Sequence, residues 1–271
     1  GLSEIYSKLL ESQDWLTNGE LLKTLETRVS DSNFCQNFCQ VKFENKKRLA
    51  AFLKQKTGID VDSTSCFDIM IKRFHEYKRQ LMAAFYIVHR WLKLRGTSLQ
   101  EKEKSTRRTF IFGGKAAPGY LIAKLVIKFI NRLAEVINDD PATSKYLKVV
   151  FLPNYNVSAA ELLTTGADFN HQISSAGTEA SGTSNMKFVL NGSVIIGTHD
   201  GANIEIGEQV GGDNLIEFGL QTQDVLARRE ELKNSEDIFA TFPNSLKAVI
   251  DEIHKGTFGD SRSEWGMLLD S

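Results

Sequence analysis

Apolar residues along the chain follow two periods: helical in the first 57 residues, and alternating between strand and helix afterwards. In residues 2–10 and 43–53 the apolar positions recur every three to four residues, which is typical of helices with one buried face. Gly58 follows, and glycine commonly ends helices. We therefore expect a helical segment over residues 1–60 that packs on a second unit formed by residues 61–271.

Beyond residue 61, short apolar runs typical of buried strands alternate with amphipathic stretches. Strands are predicted over residues 66–71, 109–112, 147–152, 193–198 and 214–219. Helices are predicted from within 72–79 to about Leu94, over 119–137 and 158–164, around Lys187, and over 223–233, with a charged loop at 96–107. This alternation favours an α/β fold, a Rossmann-like, doubly wound and mainly parallel sheet that binds ligands beyond the carboxyl ends of its strands.

The run 177–188 combines small residues with a lysine at the start of a predicted helix. Backbone N–H groups at a helix start attract phosphate, and Thr183 and Ser184 can cap that end or donate hydroxyls. Lys187 lies one turn beyond Thr183 on the same face. A cofactor with a phosphate at one end and an aldehyde at the other can bridge these points, which suggests pyridoxal phosphate. The alternative is an ordinary exposed lysine near a helix end.

A second cluster of cations follows the first predicted strand. Lys72, Arg73, Lys78 and Arg79 fall within eight residues. Cations at a strand-to-helix turn can neutralise two phosphate groups, and Arg73 offers a bidentate fork for one of them. The alternative is a solvated helix face on which Glu76 pairs with its neighbours. The chain has neither a Walker loop nor a G-x-G-x-x-G run after a strand.

Composition narrows the classes of function further. The formal net charge of −1 does not favour nucleic acid as a partner, and no apolar run is long enough to span a membrane. The histidines show no metal-binding spacing, so no metal site is predicted. Three cysteines without framework spacing indicate reduced thiols, with Cys35 and Cys39 expected to pack in the core. With no signal segment, these features predict a cytoplasmic location, and the first residue, Gly1, suggests a start inside a larger protein.

Five segments resemble, in the same order, the C-terminal half of the α-glucan (glycogen or starch) phosphorylases. They are residues 72–81, 113–120, 154–158, 179–188 and 197–205. The resemblance implies a GT-B architecture of two Rossmann-like domains, of which this chain holds the C-terminal, cofactor-binding one, truncated at both ends. It also implies the reaction: inorganic phosphate cleaves terminal α-1,4-glucosyl units from glycogen or starch and releases glucose 1-phosphate.

The resemblance further implies roles for individual residues. The residues implied to hold pyridoxal 5′-phosphate are Lys187 as a Schiff base, Lys72, Gly182, Thr183, Ser184 and Tyr155. The residues implied to contact the glucosyl unit are Tyr77, Glu179, Ala180, Ser181 and Gly182. Arg73 and Lys78 are implied to bind the substrate phosphate and, with Lys187, to form the catalytic set.

In that family the cofactor phosphate, rather than its ring, relays a proton to the substrate phosphate. The resemblance places much of the glucan site in an N-terminal half that this chain lacks. We therefore expect the chain to be inactive alone and the full-length protein to be a homodimer. Two alternatives stay open: a non-catalytic phosphate- or sugar-binding module of GT-B type, and a nucleotide-sugar glycosyltransferase, which needs no lysine adduct.

Overall fold

A six-stranded parallel sheet forms the centre of the molecule. The structure is a computed structural model that describes residues 1–259 and 261–270, leaving aside the side chains at 261–264. The strands are β1 (Cys66–Ile71), β2 (Arg108–Gly113), β3 (Leu147–Leu152), β4 (Phe169–Gln172), β5 (Val194–Gly197) and β6 (Ile216–Glu217). They lie in the order β3-β2-β1-β4-β5-β6, which confirms the predicted doubly wound α/β fold.

Helices connect the strands and flank both faces of the sheet. They are α1 (Leu2–Leu9), α2 (Ser32–Thr57), α3 (Gln80–Gly96), α4 (Leu99–Lys104), α5 (Leu121–Asp139), α6 (Val157–Gly166), α7 (Ser184–Leu190), α8 (Ala202–Val210), α9 (Thr222–Lys233), α10 (Asn244–His254) and α11 (Ser261–Leu269). Short 3₁₀ segments lie at Asp14–Leu16, Gly19–Arg28, Glu76–Lys78, Gly212–Asn214 and Phe239–Thr241. Within the described residues, no helix has the length and apolar composition needed to cross a membrane.

Two apolar cores cover the two faces of the sheet, because successive side chains of a strand point to opposite faces. In β1, Met70 belongs to the core that also contains Trp91 of α3 and Phe129 of α5. Its neighbours Ile69 and Ile71 belong to the other core, to which α2, α6 and α7 contribute. The largest buried rings pack on the first face, where the α5 aromatic ring lies edge-on to the indole of α11, with centroids 5.1 Å apart.

Helix α2 is a long helix with defined ends. Asp31 caps its start by accepting hydrogen bonds from the backbone N–H groups of Asn33 and Phe34. Gly58 ends it in the left-handed conformation (φ +75°) that glycine adopts without strain. Leu49 and Leu53 are fully buried against the sheet side. In contrast, α1 and the two 3₁₀ segments that follow it contain no buried residue.

The order of the strands reverses between β1 and β4. From β1 the chain builds β2 and β3 on one side, then returns through α6 to place β4 on the other side. In open α/β sheets the crevice outside the carboxyl ends of two such strands is the usual place for a ligand. The segments that follow β1 and β4 are therefore the two walls of the candidate site.

Several predicted elements are wrong in detail. Strand β4 was not predicted, because Asn170, His171 and Gln172 are buried polar residues that break the apolar run. Each has a hydrogen-bond partner; the His171 ring lies 2.9 Å from the Asp68 carboxylate, for example. Helix α8 was also not predicted, and the predicted charged loop at 96–107 contains α4. The long helix begins at Gln80, beyond the residues 72–79 in which it was predicted to open.

The cysteines also differ from the prediction. Cys35 and Cys39, predicted to pack in the core, are both exposed on α2. Cys66, at the start of β1, is partly buried, and burial raises the pKa of its thiol to about 12. This thiol therefore stays protonated near neutral pH.

Candidate active site

Residues 72–79 form a tight connection between β1 and α3 rather than the start of a helix. The backbone N–H of Lys72 donates to the carbonyl of Gly113 (3.0 Å), and that of Phe74 donates to the carbonyl of Lys115 (3.0 Å). Gly114 makes this pairing possible, because a Cβ there would lie 1.9 Å from the carbonyl oxygen of Lys72. The connection is therefore fixed to the end of β2 before it reaches the crevice.

Arg79 joins the two walls of the crevice. It adopts the left-handed conformation (φ +59°), which delays the start of α3 by one residue. Its Nε donates to the carbonyl of Ile173 (2.6 Å) and a terminal nitrogen donates to that of Ser174 (3.2 Å), just beyond β4. The N–H of Ser175 in turn donates to the carbonyl of Tyr77 (3.0 Å). Sequence reasoning noted Arg79 only as one of four clustered cations, because its partners lie far away in sequence.

Lys78 and Glu179 meet across the crevice as a largely buried ion pair. Their side chains are 14% and 18% exposed, and the Lys78 ammonium donates to the carboxylate. The same ammonium lies 4.7 Å from the centre of the Tyr77 ring. Burial opposes the charge of Lys78, but the hydrogen bonds and charges of Glu179 and Tyr77 together outweigh it and hold the pKa of Lys78 above its ordinary value. The structure thus brings together three of the predicted site residues.

Lys72 lies beside this pair. Within the described residues its ammonium forms no hydrogen bond and no ion pair. Burial lowers the pKa of Lys72 to about 8, with the Lys78 charge adding to the effect and the carboxylates of Glu179 and Asp200 opposing it. Burial disfavours the charge of this ammonium, and an anion bound next to it would stabilise that charge.

Asp200 holds the loop that carries Glu179. Its carboxylate is buried and accepts hydrogen bonds from the Ser174 hydroxyl (2.7 Å) and from the backbone N–H groups of Gly177 (2.9 Å) and Glu179 (2.9 Å). Three donors on one carboxylate fix the loop between β4 and α7. Sequence reasoning did not assign Asp200 a role, although it follows a predicted strand and so lies at the correct edge of the sheet.

The rest of this loop is open to solvent. Ala180 and Ser181 are exposed, and Gly182 has a left-handed backbone (φ +94°). The carbonyl of Ser181 accepts a hydrogen bond from the N–H of Ala202 (2.6 Å). Gly201 is required beside it, because a Cβ there would lie 2.4 Å from the same oxygen. The loop is therefore held from behind while its outer side stays accessible.

Helix α7 carries Lys187 out of this loop. Thr183 is its N-cap residue, but no side-chain capping bond forms, and the Ser184 hydroxyl instead accepts from the buried amide of Gln172 (3.2 Å). Lys187 is exposed, and among the described residues its ammonium has no hydrogen-bond or ion-pair partner. In the part of the chain that the structure describes, no hydrogen bond or ion pair links Lys187 to the Lys78–Glu179 pair.

Arg73 and Tyr155 complete the set of predicted site residues. Arg73 is exposed, and its backbone carbonyl accepts a hydrogen bond from the side chain of Gln80 (3.0 Å). In the described part of the chain its guanidinium has no hydrogen-bond or ion-pair partner. Tyr155 is half-buried beyond β3, and its Cβ would lie 3.6 Å from a Cβ added at Gly113. Burial raises the pKa of the Tyr155 phenol.

These residues fit a cofactor that carries both a phosphate and an aldehyde. An exposed amine without a partner, that of Lys187, is the group that an aldehyde requires. Lys72 supplies an unmatched cation for a phosphate. Gly114 and Gly182 keep the backbone near the crevice free of side chains.

Comparison with known proteins places the whole chain in one family. The sequence model of the carbohydrate phosphorylase family matches residues 1–271. The chain is 44% identical to the cytosolic alpha-glucan phosphorylase 2 of Arabidopsis thaliana, over 100% of this chain and 32% of that protein. It is 46% identical to the glycogen phosphorylase of Synechocystis, over 90% of this chain and 28% of that protein.

A mammalian relative matches over a similar span. The liver form of glycogen phosphorylase from Bos taurus is 40% identical, over 97% of this chain and 30% of that protein. The chain therefore spans about a third of the length of the curated relatives it matches. Because the family model covers every residue, the chain belongs to the carbohydrate phosphorylase family.

Proposed function

We propose that this chain is the cofactor-binding part of an α-glucan phosphorylase. The longer protein would transfer terminal α-1,4-glucosyl units of glycogen or starch to inorganic phosphate and release glucose 1-phosphate. The observation that carries the proposal is the unpartnered Lys72 beside the Lys78–Glu179 pair in the switch-point crevice. The names of the relatives, alpha-glucan and glycogen phosphorylases, support the choice of substrate.

The cofactor of the proposed enzyme is pyridoxal 5′-phosphate, bound through Lys187. Lys72 would neutralise its phosphate, and the small residues of the loop, Gly182, Thr183 and Ser184, would leave room for it. Tyr155 would lie against the ring. When bound, the cofactor supplies a phosphate group that exchanges a proton with the substrate phosphate.

The remaining residues of the site would bind substrate. Arg73, whose guanidinium is exposed, and Lys78 would hold the inorganic phosphate. Two phosphates would then lie close together, and the cations of the crevice would offset their repulsion. Glu179 is a hydrogen-bond acceptor at the same place and would orient hydroxyls of the glucosyl unit. Tyr77 and the exposed residues Ala180 and Ser181 would complete that contact.

Selective labelling of Lys187 tests the proposal. The purified chain is mixed with pyridoxal 5′-phosphate, reduced with borohydride and mapped by peptide mass spectrometry. We expect one dominant pyridoxyl-bearing peptide, the one that contains Lys187, and its loss in Lys187→Ala. Lys72→Met should weaken the labelling at least tenfold, because the unmatched cation is removed.

The matched control is Lys115→Met, which removes an exposed lysine near the same edge of the sheet. It should label as the wild type does. Labelling spread over many surface lysines, or equal labelling of wild type and Lys72→Met, would contradict the proposal. Sugar or phosphate binding without any adduct at Lys187 would favour a non-catalytic module instead.

We further propose a cytosolic location and a homodimeric full-length protein. The cytosolic relative from Arabidopsis supports the location, although a potato relative is named chloroplastic/amyloplastic. Fluorescence microscopy of the tagged full-length protein and its sedimentation coefficient test the two statements. A plastid signal would contradict the first, and a monomeric mass would contradict the second.

A further inference from the structure

A buried lysine of α2 binds the ends of two other helices. Lys42 is 7% exposed, and its ammonium donates to three backbone carbonyls. These are the carbonyls of Thr165 (3.1 Å), Ala167 (2.7 Å) and Asn191 (2.9 Å). The first two lie at the carboxyl end of α6, and the third is the C-cap residue of α7.

The chemistry of these carbonyls explains why a lysine is placed there. The last carbonyls of a helix have no partner inside the helix and carry the negative end of its dipole. A protonated amine offers three donors and a positive charge, so one Lys42 side chain satisfies carbonyls at two helix ends. A cation at this point joins α2, α6 and α7.

The link bears on α7, a short helix whose Asn185 amide also donates to Asn203 (3.0 Å). Its start has no side-chain cap. Phe188 is buried in the core, and the Asn191 amide donates to the carbonyl of Lys187 (2.8 Å). The Lys42 ammonium binds the carbonyl of the same Asn191. The backbone that presents Lys187 is therefore held from the side of α2.

The neighbouring buried lysine has a different task. Lys46, one turn along α2, donates to the carbonyl of Ser65 (2.8 Å) and to the carboxylate of Asp168 (2.5 Å), at the starts of β1 and β4. It fixes α2 to the amino ends of the strands, on the side away from the crevice. Lys42 lies at the same edge of the sheet, but one of its partners, Asn191, is the C-cap residue of the helix that carries Lys187.

We propose that Lys42 is a positioning residue that fixes α7, and with it the amine of Lys187, relative to the sheet. The role given to Lys187 rests on the proposed function, whereas the fixing of α7 does not. Burial lowers the pKa of Lys42 to about 8; the charge of Asp168 opposes this effect and the charge of Lys46 adds to it. With this pKa the amine is mostly protonated at pH 7.

Hydrogen exchange in the full chain tests this. In Lys42→Met, which keeps the length of the side chain, we expect amides of residues 187–193 to exchange at least tenfold faster. Amides of β1, β2 and β3 should keep their wild-type rates. Lys42→Arg, which retains charge and donors, should restore most of the protection. The matched control is Lys47→Met on the same helix, whose ammonium pairs with Glu44 at the surface and lies over the Phe43 ring.

A second readout uses pyridoxal 5′-phosphate itself as the probe. Its half-saturating concentration for labelling Lys187 should rise at least fivefold in Lys42→Met and return toward wild type in Lys42→Arg. Unchanged exchange in α7, or faster exchange spread equally over the whole chain, would overturn the inference. If Lys42→Met does not fold, Lys42→Gln, which keeps two donors, takes its place.

The two proposals fail in different ways. A wild-type chain that is not labelled at Lys187 would overturn the proposed function, and the exchange of α7 would still decide whether Lys42 holds that helix. Normal labelling with unchanged α7 exchange in Lys42→Met would overturn only the present inference.

Discussion

At the scale of single residues, the site is defined by a charge without a partner. Lys78 has Glu179, but Lys72 beside it has none among the described residues, and its pKa is lowered to about 8. Folding therefore places this ammonium in a less favourable environment than water. Residues that prepare a binding site commonly reduce stability in this way.

Removing the charge should make the chain more stable. For Lys72→Met we expect the free energy of unfolding at pH 7 to rise by about 1–2 kcal/mol, after allowance for solvent screening of the partly exposed side chain. This difference in unfolding free energy between variant and wild type should be complete below pH 8 and absent above pH 10.5. Between these values Lys72 of the wild type binds fewer protons in the folded state than in the unfolded state, so the stability of the wild type rises with pH towards that of the variant. Urea titrations across this pH range measure it.

Lys115→Met serves as the control for that series, because Lys115 is exposed. Its stability should match wild type at every pH. If the Lys72→Met chain were less stable than wild type at pH 7, other groups of the folded state would have to offset the cost of burying the Lys72 charge.

Some of these residues were predictable from sequence and others were not. The cations at 72–79 and the lysine at 187 stand out as local clusters. The partners that define their environment do not: Lys78 meets Glu179, and Lys42 meets Asn191, only after distant segments fold together. Arg79 and Asp200 bind backbone atoms, and such contacts leave no pattern of paired residue types.

At the scale of elements, the tight connection after β1 depends on one glycine. Gly114→Ala should lower the free energy of unfolding by at least about 2 kcal/mol, because the new Cβ would overlap a backbone carbonyl that cannot move aside. A Cβ there would lie 1.9 Å from the Lys72 carbonyl oxygen. Thermal and urea unfolding measure the loss.

Gly119→Ala is the matched control for that substitution. No atom lies within 4 Å of a Cβ added at Gly119, so its stability should change by less than about 0.5 kcal/mol. Equal changes in the free energy of unfolding at the two glycines would show that the chain accommodates a Cβ at Gly114 next to the Lys72 carbonyl.

The elements that sequence reasoning found best were the apolar ones. The bounds of β1 and β3 match the prediction, because both strands are mostly apolar, with one polar residue each, Asp68 and Lys148. Strand β4 contains Asn170, His171 and Gln172, whose burial depends on partners elsewhere. The start of α3 was misplaced because the left-handed Arg79 has no signature in the sequence.

At the scale of the whole molecule, the fold was predictable because the alternation of strands and helices allows few topologies. The order of the strands then follows the doubly wound pattern and places the predicted motifs at one edge of the sheet. What could not be predicted is how α2 joins this sheet, since its buried lysines look like ordinary surface cations in the sequence.

The size of the chain predicts its behaviour as a catalyst. Because it spans about a third of its relatives, we expect no glucose 1-phosphate from glycogen and inorganic phosphate with the chain and cofactor alone. A coupled assay for glucose 1-phosphate measures this, with Lys187→Ala run in parallel to detect contaminating enzyme. Turnover by the wild-type chain that Lys187→Ala abolishes would show that one half of the cleft is sufficient.

The reversal of strand order also has a consequence for biosynthesis. β1 pairs with β2 on one side and with β4 on the other, and β4 is made after β3. A nascent chain that has left the ribosome only as far as β3 holds Lys72 and Lys78 but neither Glu179 nor Asp200. The crevice has no second wall until translation has passed residue 200, so the proposed cofactor could bind there only after β4 and the loop that follows it have been made.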